Sequence, residues 1–197
     1  RGINLTNSSQ TVIKGNYIGL NGAGDTASGA MGFPVGVNNS SGIVIGGNET
    51  GDRNVIVGGS TGIDVNGIGS TDVEIKGNFV GTNAAGNAAL GSVTQSGINI
   101  RAGASAIIGG RTAAERNVVS GNLGGIRVED LAAGGESPNA VIEGNYIGLG
   151  ADGTTIVANT QNGIFITDNA VGTQIGGTAP GAGNVISGNS STAISIN

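Results

Sequence analysis

A short motif, Gly-Ile-x-Val or Gly-Ile-x-Ile, recurs along the whole chain and limits its fold more than any other feature. Clear copies begin at Gly2, Gly62, Gly97, Gly125 and Gly163, and degenerate copies begin at Pro34 and Ala193. The first Ile or Val of successive copies is separated by 32, 28, 35, 28, 38 and 30 residues. A repeat of this length cannot bury its apolar face alone, so the pattern is typical of a solenoid whose units stack on one another.

Two further signals recur once in each repeat. The first is an Asn followed by two mostly apolar residues, at Asn16, Asn54, Asn78, Asn117, Asn145 and Asn184. The second lies between the two motifs and begins at Val12, Val73 and Val141 in the long repeats and at Ile45, Ile108 and Ile175 in the short ones. Each repeat therefore holds three short β signals, every one bounded by Gly or Asn.

Such short strands are stable only when each pairs with its equivalent in the next repeat. We therefore predict an all-β fold, a right-handed parallel β-helix of about six three-strand coils, with no obvious caps. Residues 1–197 are expected to form a single domain. At about 4.8 Å per coil the rod would be roughly 29 Å long.

The composition excludes several classes of function. Gly accounts for 41 of 197 residues and charged residues for only 11%, while hydrophobic residues still reach 37%, which favours an ordered fold with many tight turns. A net charge of −5 without a basic run argues against nucleic acid, and no apolar stretch is long enough for membrane insertion. His and Cys are both absent. We predict no catalytic residue, no cofactor, no metal site and no enzymatic activity.

The Asn that opens the second motif has a structural interpretation. Stacked at the strand spacing, each side-chain amide can donate to the carbonyl of the next and form a ladder along the rod. Asn also tolerates the backbone that a tight corner needs. We predict such a ladder for the six Asn residues at 16, 54, 78, 117, 145 and 184.

Aromatic residues follow the ladder Asn in the long repeats, at Tyr17, Phe79 and Tyr146, and Val takes the same place in the short repeats. Packed inward, they would alternate large and small side chains in a narrow core. Facing outward, they would form an exposed stripe. We expect inward packing.

Residues 175–189, Ile-Gly-Gly-Thr-Ala-Pro-Gly-Ala-Gly-Asn-Val-Ile-Ser-Gly-Asn, and residues 144–154 resemble repeats of large secreted or surface-anchored bacterial proteins. Those repeats are similar to the pectin-lyase-like superfamily of right-handed parallel β-helices. The resemblance implies an extracellular or cell-surface location. It implies no activity, because the superfamily contains lyases, hydrolases, adhesins, tailspikes and plain stalks.

One outward face carries the best candidate site. On the solvent side of the Gly-Ile-x-Val strands, the repeat places Asp64, Asn99, Arg101, Arg127 and Glu129 together. Arg101 and Glu129 should lie one coil apart, and Asp64 and Arg127 two coils apart with Asn99 between them. This is a candidate glycan-binding face, but it lacks the clustered carboxylates of a lyase, and a mixed-charge face also keeps a strand soluble.

The chain opens and closes on the same kind of strand, so its period is closed. We expect its partners to be copies of itself stacked end to end, or neighbouring β-helix repeats, with glycans as a further candidate. The leading hypothesis is a structural module of an extracellular fibre, stalk or adhesin. The alternative is a β-helix that binds or cleaves polysaccharides.

Overall fold

The chain forms a parallel β-solenoid in a computed structural model that describes residues 2–29, 32–91, 95–130, 138–167 and 170–197. Six turns of chain build three sheets of seven, six and six strands, and all strand pairs are parallel. Within the described residues the only helical segment is a short 3-10 turn at Thr50–Asp52. This confirms the predicted all-β fold of about six three-strand coils. No described helix is long and apolar enough to cross a membrane.

Each turn of chain, called a coil here, visits the three sheets in the same order. Sheet I contains β1 (Ile3–Thr6), β4 (Val35–Asn38), β7 (Ile63–Asn66), β10 (Ser96–Arg101), β13 (Gly124–Glu129), β16 (Ile164–Thr167) and β19 (Ile194–Ile196). Sheet II contains β2 (Val12–Ile13), β5 (Val44–Gly46), β8 (Val73–Lys76), β11 (Ser105–Gly109), β14 (Asn139–Glu143) and β17 (Gln174–Ile175). Sheet III contains β3 (Tyr17–Ile18), β6 (Val55–Ile56), β9 (Phe79–Val80), β12 (Val118–Val119), β15 (Tyr146–Ile147) and β18 (Val185–Ile186).

The strands of sheet I stack in the register that the motif predicts. Ile63 lies opposite Val35 on one side and Ile98 on the other, and Ile126 lies opposite Ile98 and Ile164. Insertions between repeats leave this register unchanged because they fall between strands, at the corners of the solenoid. Equivalent side chains therefore stand above one another along the rod.

The core is a set of vertical columns of Ile and Val. Two columns come from alternate positions of sheet I, two from alternate positions of sheet II and one from sheet III, so the three sheets close around a single apolar interior. Ile45, Ile75 and Ile108 of sheet II are fully buried, as are Ile56 and Val80 of sheet III. Burying a side chain of this size stabilises the fold by about 1.5–3 kcal/mol. Every coil contributes several such β-branched residues to the core.

In sheet II the inward residue is not always the one that begins the sequence motif. Val12 and Val141 face outward, and the next residues, Ile13 and Ile142, enter the core. Successive side chains of a strand point to opposite faces, so a shift of one residue exchanges inside and outside. Only Val73 of the three Val residues is buried.

The predicted Asn ladder is present along the corner between sheets II and III. Each Nδ2 donates to Oδ1 of the Asn one coil further on, at 2.9–3.1 Å, from Asn16 through to Asn184. The same amide of Asn117 also donates to the backbone carbonyl of Ile75, at 2.7 Å. The interior members of the ladder are fully buried, so these bonds satisfy polar groups that water cannot reach.

A second Asn ladder, which the sequence analysis missed, lies before sheet I in the last three coils. Asn122 donates to Asn159, and Asn159 donates to Asn189 at 2.8 Å. Asn122 and Asn159 also donate to the backbone carbonyls of Val80 and Val119. Asn122 and Asn189 end the same short motif, Asn-Val-Val/Ile-Ser-Gly-Asn, at residues 117–122 and 184–189, whereas Asn159 follows a hairpin and lacks it, so spacing alone does not join the three residues.

The expected inward packing of the aromatic residues is wrong. Ile18 enters the core, so Tyr17 points to the outer side of sheet III. In the same way Val80 and Ile147 enter the core, so Phe79 and Tyr146 point outward. They do not form an exposed stripe either. Phe79 is 4% exposed, because a loop covers it, whereas Tyr17 in the first coil is 48% exposed.

The covering loops are hairpins that follow sheet III in the long coils, closed by the isolated antiparallel bridges Leu20–Ala27, Thr82–Ala89 and Leu149–Ile156. Gly24, Gly86 and Gly153 each lie against the aromatic ring of their own coil, where a side chain would collide with it. The loops also contact one another across the intervening short coil, since Ala84 N–H donates to Gly24 O and Ala151 N–H donates to Gly86 O, both at 2.8 Å.

Arg residues complete this outer layer. Arg53 lies over the ring of Phe79 at 4.1 Å, and Arg116 lies over the ring of Tyr146 at 4.2 Å. Each Arg comes from the short coil before the aromatic residue and immediately precedes a ladder Asn. These two cation–π contacts therefore tie the second coil to the third and the fourth coil to the fifth.

Asp25 and Asp152 close hairpin turns. Asp152 accepts hydrogen bonds from the hydroxyl and the N–H of Thr155 and from the N–H of Thr154, and these bonds lower the pKa of Asp152. Asp25 accepts a bond from the side chain of Asn21, which lowers the pKa of Asp25 in the same way. Neither residue needs a bound ion to explain its position.

We expect Asn117→Ala to lower the free energy of unfolding by about 1–3 kcal/mol, because it leaves buried donors and acceptors of two neighbouring coils without partners. Urea unfolding followed by circular dichroism measures this. The matched control is Asn16→Ala at the partly buried start of the same ladder, which should cost less. Equal unfolding curves for Asn117→Ala and the wild type would contradict a stabilising role for the ladder.

Candidate functional site

The outer face of sheet I brings together all five residues of the predicted site. Strand β7 supplies Asp64, β10 supplies Asn99 and Arg101, and β13 supplies Arg127 and Glu129. Asn99 lies opposite Asp64 in one direction and opposite Arg127 in the other, and Arg101 lies opposite Glu129. The predicted spacing of one and two coils is therefore correct.

The ion pairs of the site do not join the residues that lie opposite each other in the strand register. Arg101 donates two parallel hydrogen bonds to the carboxylate of Asp64, from Nε and Nη2, both at 2.9 Å. Glu129, which lies opposite Arg101 in the register, instead pairs with Arg127 of its own strand at 2.5 Å. The hydrogen bond to Asp64 raises the pKa of Arg101. A two-point pair of this kind fixes the orientation of both side chains.

Asn99 links the two ion pairs. Its Nδ2 donates to Oε1 of Glu129 at 2.7 Å. Its Oδ1 is buried and accepts no hydrogen bond from any residue that the structure describes. A buried acceptor without a partner is uncommon in a folded protein, so this oxygen is a place where a ligand donor or a water molecule would bind.

The loops that precede β4 and β10 form a roof at the edge of the site, where Asp64, Asn99 and Glu129 are buried although they face away from the core, whereas Arg101 and Arg127 stay partly exposed. Phe33 and Gln95, from the loops that precede β4 and β10, line a groove of about 320 Å³ together with the five site residues. Asp64 is only 2% exposed at its floor. A second depression of about 190 Å³ continues the groove past Arg127 to Phe165.

The arrangement favours binding over acid–base chemistry. Both carboxylates of the groove are held by guanidinium groups, so neither is placed as a free proton donor of the kind a glycosidase needs. No group of three or more His, Cys, Asp or Glu residues that could hold a metal ion occurs within the described part of the chain. What the groove presents is a polar surface of balanced charge, with Phe33 at one end and Phe165 near the other.

Two groove residues, Phe33 and Gln95, were missed by the sequence analysis. Both lie in loops, and the repeat assigns positions only to residues within strands. Phe165 could be placed in the outward row from the register alone, since it lies opposite Arg127. Its ring lies 5.5 Å from the guanidinium carbon of Arg127, which joins it to the charged cluster.

The outer face of sheet II differs from the other two outer faces. Val12, Val44, Ile107 and Val141 share one outward row, interrupted by Glu74. Val12 and Ile107 are exposed, and a shallow depression lies beside Ile107. These residues face outward because the residue after each of them, such as Ile13 after Val12, is the one that enters the core.

Comparison of the chain with models of protein families, with curated proteins and with solved structures finds no match. The parallel β-solenoid is thus shown by the structure of this chain alone. The resemblance to the pectin-lyase-like superfamily stays a prediction.

We expect Arg101→Met to destabilise the fold by about 2–4 kcal/mol, because the buried carboxylate of Asp64 would lose its partner. The double variant Asp64→Asn with Arg101→Met should be less destabilised than the single variant, since no unpaired charge remains. Chemical unfolding of the wild type, both single variants and the double variant gives the coupling between the two residues. Additive effects would show that the pair contributes nothing specific.

Proposed function

We propose that this chain is a non-catalytic structural module of an extracellular or cell-surface fibre, stalk or adhesin. In this proposal it is a right-handed β-helix of the pectin-lyase-like type, whose end coils pair with a further β-solenoid coil. That coil comes from a second copy of the chain or from neighbouring repeats. The support comes from the way the interior coils are held together and from what the two ends expose.

The observation that carries the proposal is the exposure of core-type side chains at the end of the solenoid. Ile164 and Ile166 of β16 are 0% and 4% exposed. Their equivalents one coil further on, Ile194 and Ile196 of β19, are 39% and 71% exposed. A further coil placed on this end would bury these side chains as each interior coil buries those of its neighbour.

The interior supports the same function. The two Asn ladders, the hairpin contacts and the cation–π contacts all join one coil to another. Such bonds stiffen a rod along its axis, which is the property that a stalk or fibre needs. The charged groove, in contrast, has its carboxylates paired with Arg residues, which supports a function without catalysis.

Negative-stain electron microscopy across a concentration series tests the self-pairing of the ends. We expect particles about 29 Å long at low concentration and longer rods of the same width at high concentration. Ile186→Lys should abolish the long rods, because Ile186 packs on the core in the last coil of sheet III, where a stacked coil would bury the charge.

Ile107→Lys is the matched control for this experiment. Ile107 is exposed on the outer face of sheet II in a middle coil, far from both ends, so its charge should leave rod formation unchanged. Circular dichroism of both variants checks that the fold is retained. Particles of one constant length at every concentration of the wild type would contradict self-stacking.

The groove on sheet I favours a second candidate function, the binding of a neutral polysaccharide. Sugar hydroxyl groups can donate to Oδ1 of Asn99, which accepts no hydrogen bond within the described residues, and the fixed ion pairs offer both donors and acceptors. Phe33 and Phe165 supply apolar surface at the two ends of the groove. The groove and the depression beside it extend from Asp64 to Phe165, across several coils, which suits an extended chain.

A glycan array followed by calorimetry tests this second candidate. We expect weak binding of a neutral oligosaccharide that Asn99→Ala reduces at least tenfold, because it removes the buried acceptor. Asn4→Ala changes the same outward row of sheet I at an exposed coil and should have no effect. The absence of binding to any neutral glycan would remove this candidate.

A further inference from the structure

The second depression on the outer face of sheet I has the size of a substituent rather than of a whole ligand. Its volume is about 190 Å³. Pockets that bury a complete small molecule measure roughly 300–1,000 Å³, whereas one water molecule takes about 30 Å³. The depression therefore suits a group of a few non-hydrogen atoms that projects from a ligand in the adjoining groove. Gln95 and Arg127 line both spaces, so the two are continuous.

A glycine leaves the space at the floor of the depression. Gly124 begins β13 and lies opposite Ser96 of β10. The atoms nearest to a Cβ at Gly124 would be Gln95 O at 3.3 Å and Ser96 Oγ at 3.5 Å, both from residues that line the depression. Gly124 does not have a positive φ, so its backbone does not require glycine. What the missing side chain provides here is room.

Ser96 places a buried hydroxyl group in this space. The residue is 6% exposed, and its hydroxyl makes no hydrogen bond with any residue that the structure describes. A buried hydroxyl group normally has a partner in the protein or in water. Asn99 Oδ1, which likewise accepts no hydrogen bond among those residues, lies three residues further along β10, about 10 Å away. A ligand in the groove therefore meets one buried polar group in each of the two spaces.

The walls of the depression combine uncharged amide groups with apolar surface. The side chains of Gln95 and Gln161 line it, and the amide of Gln161 makes no hydrogen bond within the described part of the chain. Side-chain amides both donate and accept hydrogen bonds. Leu123 and the ring of Phe165 supply the apolar part of the wall. The space thus offers donors, acceptors and an apolar contact to the same small group.

This combination distinguishes among the substituents that sugars carry. A carboxylate needs a cation, and Arg127 beside the depression is already paired with Glu129. A protonated amine would lie near the same guanidinium group, with no carboxylate among the described residues that line the depression. An acetamido group has a methyl group for the apolar wall, a carbonyl oxygen that accepts from the Ser96 hydroxyl, and an N–H that donates to a Gln side chain. It matches every part of the space.

We propose that the second depression binds the N-acetyl group of an amino sugar, so that the ligand of the groove is a neutral glycan containing N-acetylhexosamine. The inference rests on the second candidate function, glycan binding on sheet I, and names the class of sugar. The acetamido group fills the space above Gly124 and bonds to the Ser96 hydroxyl. A hydroxyl group of the neighbouring sugar donates to Asn99 Oδ1 in the groove.

Calorimetry of the full chain with three trimers of the same linkage tests the assignment: N-acetylchitotriose, its free-amine form and cellotriose. N-acetylchitotriose should bind at least tenfold more tightly than the other two, because cellotriose leaves the Ser96 hydroxyl without a partner and the amine brings an uncompensated charge. Equal affinities for the three trimers would contradict the N-acetyl site and leave glycan binding in the groove intact. If neither a trimer nor any other neutral glycan binds, glycan binding itself is contradicted, and this inference with it.

Gly124→Ala tests the position of the site. Its methyl group fills the depression without backbone strain, so it should lower the affinity for N-acetylchitotriose at least tenfold, to that for cellotriose. Ser96→Ala should weaken binding of the same trimer selectively. Gly51→Ala is the matched control, since a Cβ there meets no atom within 4 Å and the residue lies between β5 and β6, away from sheet I. Circular dichroism checks the fold of each variant. A Gly124→Ala variant that keeps the preference for N-acetylchitotriose would contradict the proposed position.

Discussion

Pairing between coils is the constraint on which the rest of this structure depends. The strands of sheet III are two residues long, and a strand of that length has no stability except against its neighbours above and below. In-register stacking turns each side chain into part of a column, and it is the columns, of Ile in the core and of Asn at the corner, that hold the fold. A solenoid of this kind is stable because every coil is completed by the next.

The same stacking explains where the variable parts of the chain lie. Long and short coils place their insertions at different corners, so the columns of the core are not interrupted. Because the hairpins after sheet III recur in every second coil, they reach across the short coil and contact one another. They cover Phe79, and the loops before sheet I cover Asp64. On the outer face of sheet II, Val12 and Ile107 remain exposed.

The groove buries polar groups, whereas the ends of the solenoid expose apolar ones. Under the loop roof, Asp64 and Glu129 are removed from water and are each held by an Arg, and Asn99 Oδ1 accepts no hydrogen bond from any of the described residues. At the ends, side chains that are buried in every interior coil face water instead. The proposals of glycan binding and of stacking between copies each come from one of these two unsatisfied surfaces.

The sequence by itself determined the repeat, the number of coils, the register of sheet I and the main Asn ladder, because all of these depend on spacing that insertions do not change. It also placed Asp64, Asn99, Arg101, Arg127 and Glu129 on one face. Only the tertiary structure decided that Tyr17 and Phe79 face outward, because a strand of two residues is too short to show an alternation of inward and outward side chains. It alone showed the roof of Phe33 and Gln95, the choice of Asp64 as the partner of Arg101, and the seventh strand of sheet I. Each of these depends on how loops and side chains meet across coils, which local spacing does not encode.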